Sequence, residues 1–392
     1  MSERKAMLAT LADLLAPVSI SEFLEAFRAR KRLHIAASNR TRAETLLSWR
    51  DVDALLSEHT LESVTLMRDG IELPRHFYTS NKGKRLNVRA LHELLPQGIS
   101  IIVDEVHRSI PQISQLASGV EREMRIRTQV NAYLSFSKGG AFKPHWDIHD
   151  LLVVQVHGNK RWRVWDAQVP HPMGSDQLNV NARAPDQEIE MAPGDILFIP
   201  RGDPHSAAVS SGHSVHLAIG LLSRTGLHLL DQLREQAAKE PIFRMDLPRH
   251  SSDQDAAAHE AALKHRLHQL IDANSVSQFL LDDDLSRSPA LQTAVVGRLP
   301  QMDDLLRLTL RRRIPLPDVE PESEAKLITI GGEARRLSPA AIDALRWLFD
   351  HDPATLRALH AGLLPRHGQD SIEAAILELS RSGFLFVNRA SH

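Results

Sequence analysis

Hydrophobic and polar positions along the chain change their spacing near residue 98 and again near residue 225. From about 98 to 222 the sequence contains short runs of β-branched and aliphatic residues, such as ISIIVDEV, LLVVQVHG and SVHLAIGLL. Gly, Pro, Asp and Asn bound these runs, and no long helical stretch separates them. Many short strands joined by turns predict a double-sheet jelly-roll barrel.

Helical spacing dominates the stretch from residue 225 to 315. It includes GLHLLDQLREQAAKE, a longer run that ends in FLLDD, and LLRLTLRRR. Apolar residues recur in these segments at intervals of three or four, which is typical of amphipathic helices. A helical block of this kind after a barrel is expected to pack against itself or against a second copy of the chain.

Residues 325–392 predict a small α+β module. The strand AKLITIGG leads into a helix with Ser338 as its N-cap and Pro339 at its first position. A second helix follows from Pro353, a third begins near Asp370, and the strand GFLFVN closes the module. This order suits a winged helix, and the Pro- and acid-rich stretch IPLPDVEPESEAK before it is interpreted as a linker.

Composition narrows the chemistry that is available to the chain. A length of 392 residues allows two or three domains, and the net charge is −2. The chain has no cysteine, so histidine and carboxylate are its strong metal ligands. The C-terminal module balances seven arginines against seven acidic residues between 331 and 392, which is a poor footprint for phosphate. We expect a cytoplasmic protein without direct nucleic-acid or membrane binding.

The stretch KPHWDIHDLLVVQVHGNK, at 143–160, raises the question of a metal site. In an extended chain His145 and Asp147 share a face about 6.6 Å apart, whereas His149 lies roughly 13 Å from His145. A third ligand must therefore come from elsewhere, and the best candidate is His205, which follows an apolar strand and a tight turn. Two histidines and one carboxylate leave positions open on Fe(II). Because H-X-D is a common tripeptide, a polar loop with a hydrogen-bonded histidine remains the alternative.

Lys160 follows the possible turn HGN. If LLVVQVHG and KRWRVW form a hairpin, Lys160 returns to the level of the metal pair. Alternation places Lys160 and Trp162 on the more apolar face of the strand and Arg161 on the other. A buried lysine is costly unless a carboxylate pairs with it, and the distal carboxylate of 2-oxoglutarate would be such a partner. A solvated hairpin lysine is the alternative.

The strand VNAYLSFS places Asn131, Tyr133 and Ser135 on one face. A tyrosine hydroxyl beside Lys160 would be a second donor to the same carboxylate. A core tyrosine with a satisfied hydroxyl explains the pattern equally well.

These segments together resemble a known family. The run NAYLSFSKGGAFKPHWDIHDLLVVQVHGNKRWRVW, followed by GDILFIPRGDPHSA and SVHLAIG, is similar to the cupin-like JmjC ribosomal oxygenases, which are Fe(II)- and 2-oxoglutarate-dependent protein hydroxylases. The resemblance implies an α+β chain in which a double-stranded β-helix barrel (a cupin/JmjC jelly roll) is followed by a helical dimerisation region and a winged helix. The expected boundaries are 1–224 for the catalytic domain, 225–315 for the dimerisation region and 325–392 for the winged helix.

The resemblance also assigns roles to individual residues. It implies His145, Asp147 and His205 as iron ligands, and Lys160 as the group that binds the 5-carboxylate of 2-oxoglutarate. In the same cosubstrate pocket, Tyr133 would assist Lys160, while Asn131 and His216 would line the wall; for His216 a place in the core is the alternative.

The expected reaction, with O₂ as the oxidant, is hydroxylation of an amino-acid side chain in a protein, a ribosomal protein first of all, by a homodimer. Family members in some bacteria carry arginine in place of the lysine, and this chain looks more like the lysine-bearing branch. Two alternatives stay open. One is the same chemistry on a precursor peptide or a small molecule. The other is a non-catalytic cupin sensor with a DNA-binding winged helix.

Overall fold

The computed structural model describes residues 8–58, 63–68, 70–80, 85–136, 142–174, 183–285, 300–309, 313–330 and 333–388. The chain divides into two compact units, Met1–Ser223 and Arg224–His392. Within the described ranges, no helix combines the length and the apolar character that a membrane crossing requires.

The first unit contains five α-helices and eleven strands in its described residues. The helices are α1 (Leu11–Leu15), α2 (Ile20–Arg28), α3 (Trp49–Glu58), α4 (Val88–Leu94) and α5 (Pro111–Met124). The strands are β1 (Leu33–Ile35), β2 (Val64–Arg68), β3 (Ile71–Glu72), β4 (Thr79–Ser80), β5 (Arg85–Leu86), β6 (Ser100–Val103), β7 (Arg127–Ser135), β8 (Asp150–Val164), β9 (Gln187–Met191), β10 (Ile196–Ile199) and β11 (His205–Leu222).

One sheet forms the frame of this unit. Its strand order is β1-β10-β8-β11-β7-β6-β2-β3, and β9 pairs with β8 outside this path. The two longest strands, β8 and β11, run antiparallel beside each other from the pair Asp150–Leu221 to the pair Val164–His205. The strands predicted between 98 and 222 are confirmed, but the expectation that no long helix separates them is wrong, because α5 lies between β6 and β7. The strand β9 was not identified by the sequence analysis.

The predicted hairpin at HGN is wrong, because β8 continues through it. Gly158 takes a φ of +62° inside the strand, and a Cβ there would lie 1.8 Å from the carbonyl oxygen of His213. Opposite this point the register shifts between Ser211 and Val215. Gly158 therefore marks a bulge, and its missing side chain is what lets β11 approach at this position.

Both faces of β8 are buried, which explains the continuous apolar run LLVVQV. Leu152 and Val154 belong to the large apolar core that also contains Phe23 of α2 and residues of α5. Leu151 and Val153 belong to a smaller cluster with Trp162 on the other face. A strand buried on both faces loses the simple alternation of apolar and polar residues. The face with Leu151 and Val153 is the one that looks into the interior of the barrel.

The second unit begins with helices. They are α6 (Gly226–Ala237), α7 (Pro241–Arg244), α8 (Asp253–Asp272) and α9 (Val276–Leu285). The later elements are β12 (Leu305–Leu308), β13 (Lys326–Ile330), β14 (Glu333–Leu337), α10 (Pro339–His351), β15 (Ala354–Thr355), α11 (Leu356–Leu363), α12 (Gln369–Arg381) and β16 (Leu385–Asn388). Ser338 caps α10 by accepting a hydrogen bond from the backbone N–H of Ala341, so the predicted start of this helix is confirmed.

The segment LLRLTLRRR was predicted as helical, and this is wrong for its first part. Leu305–Leu308 form the strand β12, which pairs with both β15 and β16. A four-residue apolar run does not distinguish strand from helix by its spacing, and here the two partner strands decide. The stretch interpreted as a linker has no helix or strand between 313 and 325. Two of its residues, Ile314 and Val319, are nevertheless buried in the apolar core of this unit.

Candidate active site

Two histidines and one aspartate meet in the barrel. His145 and Asp147 precede β8, and His205 is the first residue of β11. One ligand atom from each of the three side chains lies within 4.8 Å of the other two. The Nε2 atom of His205 is 3.7 Å from Oδ2 of Asp147. These are donor atoms that a divalent transition metal such as Fe(II) accepts, at a spacing that one ion can bridge.

The main chain holds this cluster together. The backbone N–H of His145 donates to the carbonyl of His205 at 3.1 Å, and the N–H of His205 donates back to the carbonyl of His145 at 2.7 Å. The N–H of Gly202 also donates to the carbonyl of Asp147 at 3.0 Å. The extended strand expected around His145 is thus an isolated bridge to the start of β11, and this bridge brings the distant third ligand to the other two.

Hydrogen bonds of the two imidazole rings leave one nitrogen of each free for a metal. Nδ1 of His145 lies 3.0 Å from the carbonyl oxygen of Lys143, and Nδ1 of His205 lies 3.1 Å from that of Asp203. A carbonyl only accepts, so both Nδ1 atoms carry the proton and both Nε2 atoms present a lone pair. Burial, together with the neighbouring His145, lowers the pKa of His205 to about 4, which keeps this ring neutral near pH 7.

A cavity of about 220 Å³ opens beside the cluster. All seven residues that the sequence analysis singled out line it: Asn131, Tyr133, His145, Asp147, Lys160, His205 and His216. The remaining lining residues are Gln129, Phe142, His149, Leu151, Trp162, Ala207, Ala218 and Gly220.

Lys160 is the most unusual group in this cavity. Its side chain is buried, with the residue 2% exposed, as the alternation of KRWRVW predicts. The Nζ atom lies 3.2 Å from Nδ1 of His216 and 3.5 Å from Oγ of Ser135. Among the described residues no carboxylate forms an ion pair with it, and burial lowers the pKa of Lys160 to about 7. An amine in this setting gains strongly from an anionic ligand.

His216 and Tyr133 form the wall next to Lys160. They face each other across β11 and β7, and their rings stack at 4.8 Å between centroids and 9° between planes. Burial, and then the charge of Lys160, lowers the pKa of His216 well below its usual value. A protonated Lys160 can only donate, so Nδ1 of the neutral His216 accepts and its proton lies on Nε2.

The Tyr133 hydroxyl keeps its proton. Burial raises the pKa of Tyr133 above its usual value, and the carboxylates of Asp147 and Asp104 raise it further, while a hydrogen bond with the Asn131 side chain acts in the opposite direction. Asn131 is itself held, because its Oδ1 accepts a hydrogen bond from the backbone N–H of Glu105 at 3.0 Å. The hydroxyl of Tyr133 is therefore a hydrogen-bond donor at the edge of the cavity.

Several lining residues were not predicted as such. Gln129 and Gly220 line the cavity from the same strand faces as Asn131 and His216, so the period of two of a strand could have found them. His149 does not belong to the metal cluster, but its ring packs against Gly220, where a Cβ would lie 2.7 Å from it. Phe142 packs against His145 with 5.0 Å between ring centroids and carries no signal in the sequence pattern.

A jelly-roll barrel with two histidines and one aspartate on its inner wall defines the cupin class of metal-site proteins. The family model of the JmjC domain matches residues 105–229, which contain all seven of the predicted site residues. This match covers about a third of the chain, and it agrees with the family resemblance inferred from the sequence.

Two curated relatives are both described as bifunctional lysine-specific demethylase and histidyl-hydroxylase NO66. The protein from Drosophila persimilis is 25% identical over 242 residues, which cover 59% of this chain and 34% of the relative. The protein from Drosophila willistoni is 26% identical over 376 residues, which cover 90% of this chain and 46% of the relative. The chain thus spans between a third and a half of the length of these two proteins.

Solved structures of the Escherichia coli ribosomal oxygenase YcfD share the fold. One of them superposes with a TM-score of 0.56 and 16% sequence identity, covering 95% of this chain and 98% of that chain. A second, described as a complex with cobalt and 2-oxoglutarate, gives a TM-score of 0.55 and 17% identity over the same shares. At these identities the comparison shows the fold alone.

The burial of the Lys160 amine predicts how the free energy of unfolding depends on pH. Replacing it by methionine (Lys160→Met) should raise the free energy of unfolding by about 2 kcal/mol near pH 6, because a buried charge without a partner is removed. The pKa of Lys160 is about 7 in the folded protein, whereas an exposed lysine has a pKa near 10.5. Between these values the unfolded chain binds more protons, so wild-type stability rises with pH. The advantage of Lys160→Met should therefore shrink from pH 7 upwards.

Urea unfolding near pH 6, 8 and 10 measures this difference. Lys143→Met is the matched control, since it makes the same exchange at an exposed position, and its effect should not vary over this range. A stability difference between Lys160→Met and wild type that stays constant from pH 6 to 10 would contradict a strongly lowered pKa for Lys160.

Proposed function

We propose that this protein is an Fe(II)- and 2-oxoglutarate-dependent oxygenase that hydroxylates an amino-acid side chain in a protein, with a ribosomal protein as the first candidate. One observation carries the proposal: the His145, Asp147 and His205 cluster shares a cavity with a buried lysine that has no carboxylate partner among the described residues. The cluster supplies three sites on a metal, and Lys160 supplies a cation for the far end of a dicarboxylate.

The residues present fit the implied metal. Both histidines are oriented by carbonyl groups so that Nε2 faces the cluster, and the third ligand is a carboxylate. This set suits Fe(II) and leaves coordination positions open. Cobalt, which stands in for iron, accompanies 2-oxoglutarate in a structure of the E. coli relative. When bound, iron with 2-oxoglutarate and O₂ supplies the oxidising chemistry that converts a C–H bond of the substrate into an alcohol.

The polar residues of the cavity have distinct tasks in this proposal. Lys160, in its protonated form, binds the distal carboxylate of 2-oxoglutarate, and the neutral His216 orients the ammonium group by accepting one of its hydrogens. Tyr133 adds an O–H donor next to Lys160. Asn131 is fixed by the backbone and holds the Tyr133 hydroxyl in position. The apolar members of the wall exclude water from the reacting groups.

The first experiment tests the metal and cosubstrate site. Under anaerobic conditions, Fe(II) and 2-oxoglutarate should give a weak visible metal-to-ligand absorption band in wild type, and His145→Ala should remove it because one of three protein ligands is lost. His149→Ala is the matched control, since His149 lines the same cavity but lies outside the cluster. In air, wild type should slowly form succinate without substrate.

Two results would overturn the proposal. A band that persists in His145→Ala would place the metal elsewhere. Wild-type protein that binds the metal and 2-oxoglutarate but forms no succinate would favour the alternative of a non-catalytic cupin sensor.

The substrate needs a separate test. A related protein carries histidyl-hydroxylase in its description, and the E. coli relative is described as a ribosomal oxygenase, so ribosomal proteins come first. Mass spectrometry of ribosomal proteins should find a peptide that gains one oxygen atom in cells with the wild-type gene. The gain should be absent from cells without the gene and from cells with Asp147→Ala. If the ribosomal proteins are unchanged, the substrate is another peptide or a small molecule.

We also propose that the chain forms a homodimer through its helices α6 to α9. This part of the second unit exposes large apolar side chains that a monomer would leave in water: Leu227, Leu230, Met245, Leu247, Leu267, Ile271, Val276 and Leu280. Exposed apolar surface of this extent is typical of interaction sites.

Sedimentation velocity tests the dimer. Wild type should sediment at about twice the monomer mass of 43.8 kDa. Leu230→Glu should shift it to the monomer because a charge would have to be buried in the interface. Leu364→Glu, at a similarly exposed leucine of the C-terminal module, should remain dimeric. A monomeric wild type would contradict the proposal.

The C-terminal module supports the proposal of a winged helix through its three helices α10, α11 and α12 and the strand β16 that follows them. Three further expectations remain predictions. They are that the protein does not bind nucleic acid directly, that 225–315 is a dimerisation region with boundaries at 315 and 325, and that the protein is cytoplasmic.

A further inference from the structure

We propose that the indole N–H of Trp162 donates a hydrogen bond to a carboxylate oxygen of the dicarboxylate cosubstrate. This would make Trp162 a cosubstrate-binding residue. The inference rests on the proposed function, because it takes 2-oxoglutarate as the ligand of the cavity.

The first observation is a donor without an acceptor. Trp162 is 3% exposed, and its Nε1 atom is fully buried with no hydrogen-bond partner in the part of the chain that the structure describes. An indole N–H can only donate, and a buried donor that stays unpaired is destabilising. Trp162 lines the cavity with other atoms of its ring, and a small rotation of the ring would bring the N–H to a ligand there that can supply the missing acceptor.

The second observation is the position of the ring. Trp162 faces the cavity two residues after Lys160 on the same face of β8. Its ring lies 5.9 Å from that of His205 and 5.3 Å from that of His216, measured between centroids. Across the ladder it is paired with Ala207, whose small side chain leaves space beside the indole. The ring of Trp162 thus lies near the metal ligand His205 and near His216, which contacts Lys160. A dicarboxylate that reaches from the metal cluster to Lys160 would pass close to it.

A second tryptophan of this chain segment shows what a satisfied indole looks like. Trp165 is equally buried, at 4% exposed, but its Nε1–H donates to the carbonyl oxygen of Arg183 at 3.0 Å. The protein supplies the acceptor for Trp165, and Trp165 does not line the cavity. The two residues therefore form a matched pair for an experiment.

The direct test observes the indole protons by NMR. In protein with ¹⁵N-labelled tryptophan, loaded with diamagnetic Zn(II), the resonance missing from Trp162→Phe identifies Trp162 among five tryptophans. Addition of 2-oxoglutarate should shift this proton downfield, because a charged acceptor forms a short hydrogen bond with it. The resonance assigned through Trp165→Phe should move little.

Binding affinity provides the second measurement. Calorimetry with Mn(II)-loaded protein should find that Trp162→Phe binds 2-oxoglutarate about tenfold more weakly, as expected for the loss of one hydrogen bond to a charged group. Trp165→Phe should bind like wild type even if it unfolds more easily. Replacement of Trp162 by benzothienylalanine, which keeps the ring shape and lacks the N–H, should weaken binding as Trp162→Phe does and so separates the hydrogen bond from packing.

The outcomes distinguish two failures. If wild type binds 2-oxoglutarate but the Trp162 indole proton does not shift, or benzothienylalanine binds like wild type, the role of Trp162 is refuted. If metal-loaded wild type does not bind 2-oxoglutarate at all, the proposed function itself fails.

Discussion

The antiparallel ladder between β8 and β11 is the constraint on which the site depends. Its register places Lys160 and Trp162 on one strand and His205 and His216 on the other, all on the interior wall. A slip by one residue would turn each of these side chains to the opposite face. The bulge at Gly158 bends the ladder without breaking it, so a single pair of strands can carry both the metal end and the lysine end of the cavity. The outer face of the same ladder packs against the helices, and this apolar contact keeps the register fixed.

The cavity is arranged at the expense of stability. Lys160 is buried beside a histidine rather than a carboxylate, and burial lowers its pKa to about 7. His205 and His216 are neutral for the same reason. The charged form of each of these groups is less well stabilised in the protein than in water. Poor stabilisation of this kind is common at functional sites. A bound metal and a dianion would reverse it, so ligand binding and folding should be thermodynamically linked.

Much of the site could be predicted because its functional side chains lie at every second residue of a strand and so share one face. Alternation placed Asn131 and Tyr133 on one face of their strand and Lys160 on the apolar face of another, and the family resemblance supplied their expected roles. Their placement in one cavity agrees with the predicted faces. The hairpin at Gly158 was mispredicted because a glycine in a turn-like tripeptide looks the same whether the chain reverses or bulges. The difference lies in His213 on the partner strand, which local sequence does not reveal. The strand Leu305–Leu308 was mispredicted for a related reason, since its partners β15 and β16 come far later in the chain.

Two reciprocal main-chain hydrogen bonds join His145 to His205, so the approach of these two segments does not rely on the side chains that would bind a metal. The two residues are joined through atoms that every amino acid other than proline possesses, so the junction does not depend on which side chains stand there. The scaffold can then tolerate exchange of a ligand while the approach of the two segments is preserved. A homologous protein with a different residue at either position would keep the closed barrel and the shape of the cavity. A descendant that lost a metal ligand would thus remain a folded protein that can bind ligands, rather than become an unfolded chain.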